Sequence, residues 1–206
     1  IAHELRNPMA AIRNSVYFLR LKNEKDPKIN HHLEVIDREL SRSDEVIERL
    51  LQMTKEETIK FESVDLKELA QEALLYTDTS NASDFRFTYE PDAFEVKVDR
   101  ILFRQVLSNL FLNSLQASNG RKNRCPLGVI ARKKGGPSVE IRVWDHGNGI
   151  TKEHQERIFE PLYSNKTHGV GLGLPLCKDI MTRHNGKISL EKTSHEGTVF
   201  LIELPS

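Results

Sequence analysis

The amino-acid sequence predicts an α+β protein: an N-terminal helical hairpin that becomes a four-helix bundle on dimerisation, followed by a two-layer α/β sandwich. Two observations predict it. Residues 1 to about 60 are rich in good helix formers, contain no Gly, and space their apolar residues at alternating intervals of three and four. From about residue 61 short β-like runs alternate with helical ones, and all 11 glycines lie there. The expected domains are therefore 1–60 and 61–206.

Bulk composition narrows the function classes. With 38% apolar and 29% charged residues the chain can bury a core, and wholesale disorder is excluded. The 30 basic and 30 acidic residues cancel, which gives no global electrostatic case for a nucleic-acid or anionic-membrane partner. Cys125 and Cys177 form no framework and have no metal-ligand spacing, so they read as unpaired thiols of a reducing compartment. No apolar run approaches the ~20 residues of a membrane helix, and no signal peptide precedes the first helix. The chain opens on Ile1-Ala2-His3, already inside a helical pattern and without an N-cap. It reads as a cytoplasmic fragment whose sensor or membrane anchor, if any, lies upstream.

In the first helix Leu5, Met9, Ile12, Val16 and Leu19 follow the 3.5-residue repeat of a coiled-coil seam. In the second, Leu33, Ile36, Leu40, Ser43, Ile47, Leu50 and Thr54 do the same. The polar stretch Asn23-Glu24-Lys25-Asp26-Pro27 breaks the helix between them. Two narrow stripes bury poorly in a lone hairpin, so a homodimer is expected, with packing of the hairpin on the second domain as the alternative. Beyond residue 61, Phe61–Val64, Phe85–Tyr89 and Phe94–Val98 read as strands. Asp65 can cap a helix to about Tyr76, and Asp99 one to about Ser118. Leu127–Arg132 and Val139–Trp144 read as paired central strands, Lys152–Ile158 as a short helix and Leu172–His184 as a longer one. Lys187–Glu191 with Thr198–Leu204 reads as a closing hairpin, and helices with antiparallel strands in this order suggest the two-layer sandwich.

The heptad frame carries a chemical consequence. With Leu5 at d and Met9 at a, His3 and Asn7 fall at b and f, one turn apart on the outward face, with Glu4 beside them. A carboxylate that accepts Nδ1–H would fix the imidazole tautomer and leave the Nε2 lone pair free as a nucleophile. An exposed histidine on a charged face is more often merely solvated. A zinc protease is excluded, since Asn7 stands where the second histidine must be. Pro8 removes one helical hydrogen bond, and a local bend is expected there.

Four clusters in the second part point to a nucleotide. Asn109 and Asn113 present two amides on one helix face, and an amide oxygen is a suitable hard ligand for Mg²⁺. Trp144-Asp145-His146-Gly147-Asn148-Gly149 puts a carboxylate at a strand end, where it can accept from an exocyclic amine such as adenine N6, while Gly147 and Gly149 let backbone approach a flat ligand. A type I′ turn is the competing reading of that segment. Ile158-Phe159-Glu160-Pro161-Leu162-Tyr163 leads into a polar stretch, Ser164–His168, fit to be a mobile lid and carrying Lys166, which can reach a phosphate. Gly169-Val170-Gly171-Leu172-Gly173 opens a helix whose N–H groups can bind an anion. It is neither a Walker A nor a Rossmann sequence.

In this order the motifs resemble the histidine kinase family, within the superfamily of gyrase, heat-shock chaperone and mismatch-repair ATPases. His3–Pro8 is similar to its H box, Asn109–Asn113 to the N box, Asp145–Gly149 to G1, Phe159 to the F box and Gly169–Gly173 to G2. The resemblance spans nearly the whole chain. It implies a dimerisation and phosphotransfer hairpin followed by a Bergerat-type domain that binds ATP and Mg²⁺, with a response-regulator receiver domain as partner. It also implies roles. His3 accepts the γ-phosphoryl group, Glu4 activates it, and Asn7 serves a phosphatase reaction on the partner. Asn113 binds Mg²⁺ with support from Asn109. Asp145 reads adenine, the glycines shape pocket and lid, and Thr198 assists adenine through water. Members that hydrolyse ATP typically carry Glu at the position of Asn109, and an amide cannot act as a general base. Transfer to a side chain is thus favoured over simple hydrolysis; an ATPase and a non-catalytic dimerisation module are the competing functions. Asn185-Gly186 departs from the family's Gly-Gly, and the first helix begins just before His3.

Overall fold

The computed structural model describes residues 2–22, 26–54, 58–77, 85–89, 95–117, 126–134, 138–164 and 170–205. They fall into two compact units, Ile1–Glu56 and Glu57–Ser206.

The first unit is an antiparallel pair of helices, α1 (Ala2–Lys22) and α2 (Pro27–Thr54). Its direction is read from two ion pairs, Arg13–Asp44 at 2.8 Å and Arg20–Asp37 at 2.7 Å. Asp26 caps α2, its Oδ1 accepting from the N–H groups of Lys28 at 2.9 Å and Ile29 at 3.4 Å. Pro27 takes the first helical position, where its missing N–H costs nothing. α1 runs unbroken through Pro8.

The heptad stripe divides in two. Val16 of α1 and Leu33, Leu40 and Ile47 of α2, the last three spaced by seven, are buried between the helices. The alternate register stays outside: Ile12 is 47% exposed, Leu19 48%, Ile36 39% and Leu50 39%, with Ser43 exposed between them. A single hairpin thus uses one heptad position and leaves the other uncovered.

The second unit comprises β1 (Glu62–Asp65), α3 (Leu66–Leu75), β2 (Phe85–Tyr89), β3 (Glu95–Val98), α4 (Arg100–Ala117), β4 (Leu127–Lys134), β5 (Ser138–Asp145), α5 (Lys152–Gln155), α6 (Gly173–Arg183), β6 (Lys187–Ser194) and β7 (Gly197–Pro205). β1 and β3 pair by themselves, and the other five strands form one sheet of order β2-β4-β5-β7-β6. Alternation fixes which face is covered. Val139, Ile141 and Val143 of β5 and Phe200, Ile202 and Leu204 of β7 are buried together with Phe103, Leu107, Leu110 and Phe111 of α4 and Leu176, Ile180 and Met181 of α6. This is the expected two-layer sandwich.

Both expected caps form. Asp65 Oδ1 accepts from Lys67 and Glu68 N–H at 2.7 and 3.0 Å, and Asp99 Oδ1 from Ile101 and Leu102 N–H at 3.1 Å each. Asn185 adopts φ +55, and the Gly186 and Asn185 N–H groups reach Met181 O at 2.8 Å and Thr182 O at 3.0 Å. That is a Schellman ending, in which Asn is the residue that best replaces Gly. His184, buried at the same end, accepts the Asp99 N–H on Nε2 at 3.0 Å and faces Ile180 O with Nδ1 at 2.8 Å. Those partners require the neutral Nδ1–H tautomer, and burial accordingly pushes its pKa down.

Two expectations need correction. The sheet is not wholly antiparallel, since β2 runs parallel to β4; β2 and β4 are separated by β3 and α4, a crossover long enough for parallel pairing. The helix expected over Lys152–Ile158 stops at Gln155. Beyond it the N–H groups of Arg157 and Glu160 bond three residues back, to His154 O and Arg157 O, and the chain then turns at Pro161 and Leu162.

Candidate active site

Asp145 ends β5 on its core-facing register and is only 7% exposed. Three donors converge on its carboxylate. The Gly147 N–H reaches Oδ1 at 2.7 Å, the Ser114 hydroxyl of α4 lies 3.1 Å from Oδ2, and the Thr198 backbone adds a third bond. Burial pushes the carboxyl pKa up and these bonds pull it down, with burial the stronger. A carboxylate at a position that alternation reserves for an apolar side chain opposes fold stability, the usual mark of a site kept for function.

The segment that follows is locked into place. Asn148 N–H bonds Ala117 O at 3.3 Å, His146 N–H bonds Pro126 O at 3.2 Å, and Ile150 N–H donates to Thr193 Oγ1 at 2.8 Å. Thr193 Oγ1 lies 3.3 Å from the hydroxyl of buried Thr198, which stands directly opposite Asp145 in the β5–β7 register. The type I′ turn is excluded, because β5 pairs with β4 and β7 and only Gly149 of the segment has positive φ. The glycines also have a packing reason. A Cβ on Gly147 would lie 2.6 Å from Ala117 Cβ, and one on Gly149, at φ +72, 1.9 Å from Ser194 O. Close packing of the chain on itself requires both.

Asn109 and Asn113 lie one turn apart on α4, both half-buried. Asn109 Nδ2 is buried with no hydrogen-bond partner. An orphaned amide end is costly, and since the two ends of an amide exchange by a flip, the group can offer an unpaired oxygen equally well. Among the described residues no cluster of three His, Cys, Asp or Glu could hold a metal by itself. A cation such as Mg²⁺ takes one or two protein oxygens and completes its shell with phosphate and water.

At the α6 entrance, Val170 and Gly171 are half-buried, Leu172 is fully buried as the N-cap, and Gly173 is the first helical residue. Gly171 adopts φ +72, and a Cβ there would lie 2.4 Å from Tyr163 O. Phe159 packs edge-on against Phe200 at 6.4 Å and lines a cleft of about 460 Å³ with Lys178, Thr182, Ile188 and Leu190, which does not include Asp145 or the α4 amides. Lys166 and Gly169 lie outside the described residues, as do residues 165–168 of the expected lid. His3, Glu4 and Asn7 lie on α1 in helical backbone, with the side chains of residues 2–8 outside the description.

Ser114 and Thr193 escaped the sequence reading. Ser114 follows Asn113 directly, which was the available signal. Gly197 precedes Thr198, and at φ +144 its missing side chain makes room for Asp145 O, 1.9 Å from where a Cβ would stand.

Residues 98–206 match the family model of histidine kinase-, DNA gyrase B- and HSP90-like ATPases, and residues 1–59 match the His Kinase A (phospho-acceptor) domain. The solved catalytic domain of histidine kinase ThkA is 32% identical, covering 71% of this chain and 95% of that one at TM-score 0.61. The chain belongs to the histidine kinase family. Over its whole length it is 32% identical to the sensor histidine kinase ZraS of Klebsiella oxytoca, of which it covers 44%, so it spans under half of that relative. ThkA solved in complex with response regulator protein TrrA is 29% identical, covering 99% of this chain and 59% of that one at TM-score 0.71. His3–Pro8 lies within the phospho-acceptor match, and Asn109–Asn113, Asp145–Gly149, Phe159 and Gly169–Gly173 lie within the ATPase match. No helix among the described residues is long and apolar enough to cross a membrane.

Proposed function

We propose that this chain is the catalytic core of a sensor histidine kinase: residues 61–206 bind ATP with Mg²⁺, and residues 1–60 dimerise and present His3 to the γ-phosphoryl group. The observation that carries the reading is the buried carboxylate of Asp145, held ready as an acceptor by Ser114, Gly147 and Thr198. In this reading it accepts from the adenine amine, and Thr198 assists through water. Asn113 and Asn109 would hold Mg²⁺, and the orphaned Asn109 amide supports that assignment. When bound, the cation would offset the negative charge of the phosphates. Lys166 and the backbone of 169–173 would take the phosphates.

Glu4 accepts the Nδ1 proton of His3, leaving Nε2 to attack the γ-phosphorus. The N–P bond forms as the bond to the ADP oxygen breaks, so ADP leaves and a phosphoramidate remains. With an amide at position 109 no group there can activate water, which favours transfer over hydrolysis. Positioning and electrostatics would supply most of the catalysis. The product is a competent donor to an aspartate of a receiver domain, and the ThkA–TrrA complex supports a partner of that class. Asn7 would position water for the reverse task, dephosphorylation of the regulator. The exposed register of Ile12, Leu19, Ile36 and Leu50 supports a homodimeric four-helix bundle as the working form.

The test is incubation with Mg²⁺ and γ-labelled ATP. Acid-labile, alkali-stable label should appear on the wild type and vanish in His3→Gln. Label that survives in His3→Gln, or free phosphate released at the same rate by both proteins, would sink the proposal in favour of an ATPase.

A further inference from the structure

The turn ahead of the α6 entrance holds an unusual backbone. Leu162 is not glycine, yet it adopts φ +64 with its side chain 62% exposed. A left-handed residue of this kind is strained, and an exposed leucine recovers little of that strain by burial. The conformation must be held from outside, and the holders are visible. Leu162 N–H donates to Gly171 O at 3.0 Å, so residues 162 and 171 are bonded across the intervening chain. The next side chain, Tyr163, is gripped twice. Its hydroxyl pairs with Nδ1 of His154 on α5, and the Arg157 guanidinium lies over its ring, 4.1 Å from the centroid. Arg157 is itself steadied by Glu160, Nε to Oε2 at 2.9 Å. Gly171 then fits only because it lacks a Cβ, which would strike Tyr163 O and the carbonyl carbons of Tyr163 and Leu162 within 2.7 Å.

We propose that Tyr163, clamped by His154 and Arg157, is a positioning residue that sets the place of Gly171 and so aims the first N–H groups of α6 at a nucleotide's phosphates. This rests on the nucleotide reading of the site given above. The chain of contact is short: His154 and Arg157 hold the ring, the ring fixes the 162–163 backbone, that backbone abuts Gly171, and two residues later α6 begins. α6 has no side-chain cap at its N-terminus, so its first N–H groups are not engaged by a capping side chain. Release of the ring lets Leu162 leave the left-handed region and take Gly171 with it. The adenine end, built on Asp145, Ser114 and Thr198 from other elements, would be untouched.

The experiment uses the whole chain and four proteins: wild type, Tyr163→Phe, His154→Gln and the double variant. Tyr163→Phe keeps the ring under Arg157 and removes only the hydroxyl. Dissociation constants are measured by calorimetry for Mg-ATP and, by competition, for adenosine, which lacks the phosphates; thermal melts check folding. Each single variant should bind Mg-ATP about fivefold more weakly, the value of one net hydrogen bond. The double variant should be no weaker than the worse single, adenosine affinity should be unchanged, and the melting temperature should hold. Unaltered Mg-ATP binding, additive losses, or an equal loss for adenosine would each overturn the clamp. A wild type that binds no Mg-ATP would instead refute the nucleotide reading, and the clamp with it.

Discussion

Replacing Asp145 with Asn should separate binding from stability. The change removes a charge and little volume. In the wild type Gly147 N–H at 2.7 Å, the Thr198 backbone and the Ser114 hydroxyl at 3.1 Å all donate to the carboxylate. The amide oxygen can take the place of Oδ1 for the Gly147 N–H. The Ser114 hydroxyl needs no acceptor there, because it also lies 3.0 Å from Leu110 O and can turn fully onto it while accepting from the new NH₂. The desolvated charge disappears, so stability at pH 7 should change by no more than about 1 kcal/mol. Binding should fare differently. A hydrogen bond between the ligand amine and a charged acceptor contributes about 1.5–3 kcal/mol, so Mg-ATP affinity should fall roughly 10- to 100-fold. The pH dependence supplies an independent sign. Burial raises this carboxyl pKa above its unfolded value, so the folded state binds the proton more tightly. Its contribution to stability is therefore greatest at pH below the ordinary carboxylate range and is lost as pH rises from that range through the raised folded value. Urea melts of wild type and Asp145→Asn from pH 4 to 8 should show that extra decline only in the wild type. An Asn variant that loses several kcal/mol of stability, or that binds Mg-ATP normally, would refute the reasoning, because the carboxylate would then be a structural partner or idle.

Four further variants have equally definite outcomes. Asn109→Leu removes a buried amide end with no partner, so thermal stability should hold or rise slightly, whereas the Mg²⁺ dependence of ATP binding in calorimetry should largely disappear. Gly149→Ala combines φ +72 with a Cβ 1.9 Å from Ser194 O and should cost about 3 kcal/mol or more in urea unfolding. Leu50→Glu, on the exposed heptad register, should convert a dimer to a monomer in sedimentation, while Leu40→Ala, on the buried one, should cost about 2–4 kcal/mol of hairpin stability.

Local rules made much of the fold legible. The caps at Asp65 and Asp99 and the break before Pro27 depend on residues within four positions of one another, and their places follow from the sequence. Strand direction does not: nothing within Phe85–Tyr89 records that its partner is β4 or that the two run parallel, since that is decided by the intervening α4. The short α5 illustrates the same limit, because its end is set by the turn at Leu162 and by Gly171, sixteen residues beyond Gln155. In the site, Asn109 and Asp145 stood out because polar groups interrupt an apolar pattern. Ser114 and Thr193 did not, because their role exists only once α4, β5 and the β6–β7 hairpin are packed together.

The glycines mark where this site is but discriminate poorly among its functions. Gly149, Gly171 and Gly197 each adopt positive φ, and at each a Cβ would overlap backbone of a neighbouring segment: Ser194, Tyr163 and Asp145 respectively. A substitution at any of them would damage folding and binding together, and loss of activity would follow even if no backbone ever touched a nucleotide. Asp145 and Asn109 are the opposite case. The fold carries one as a buried charge and the other as an amide with an unpaired end, and should be about as stable with Asn at 145 and Leu at 109. A group that costs its own fold must be offset by something the fold does not contain. At these two positions, one on the strand end and one on the facing helix, the proposed nucleotide would supply the donor and its cation the partner of the amide.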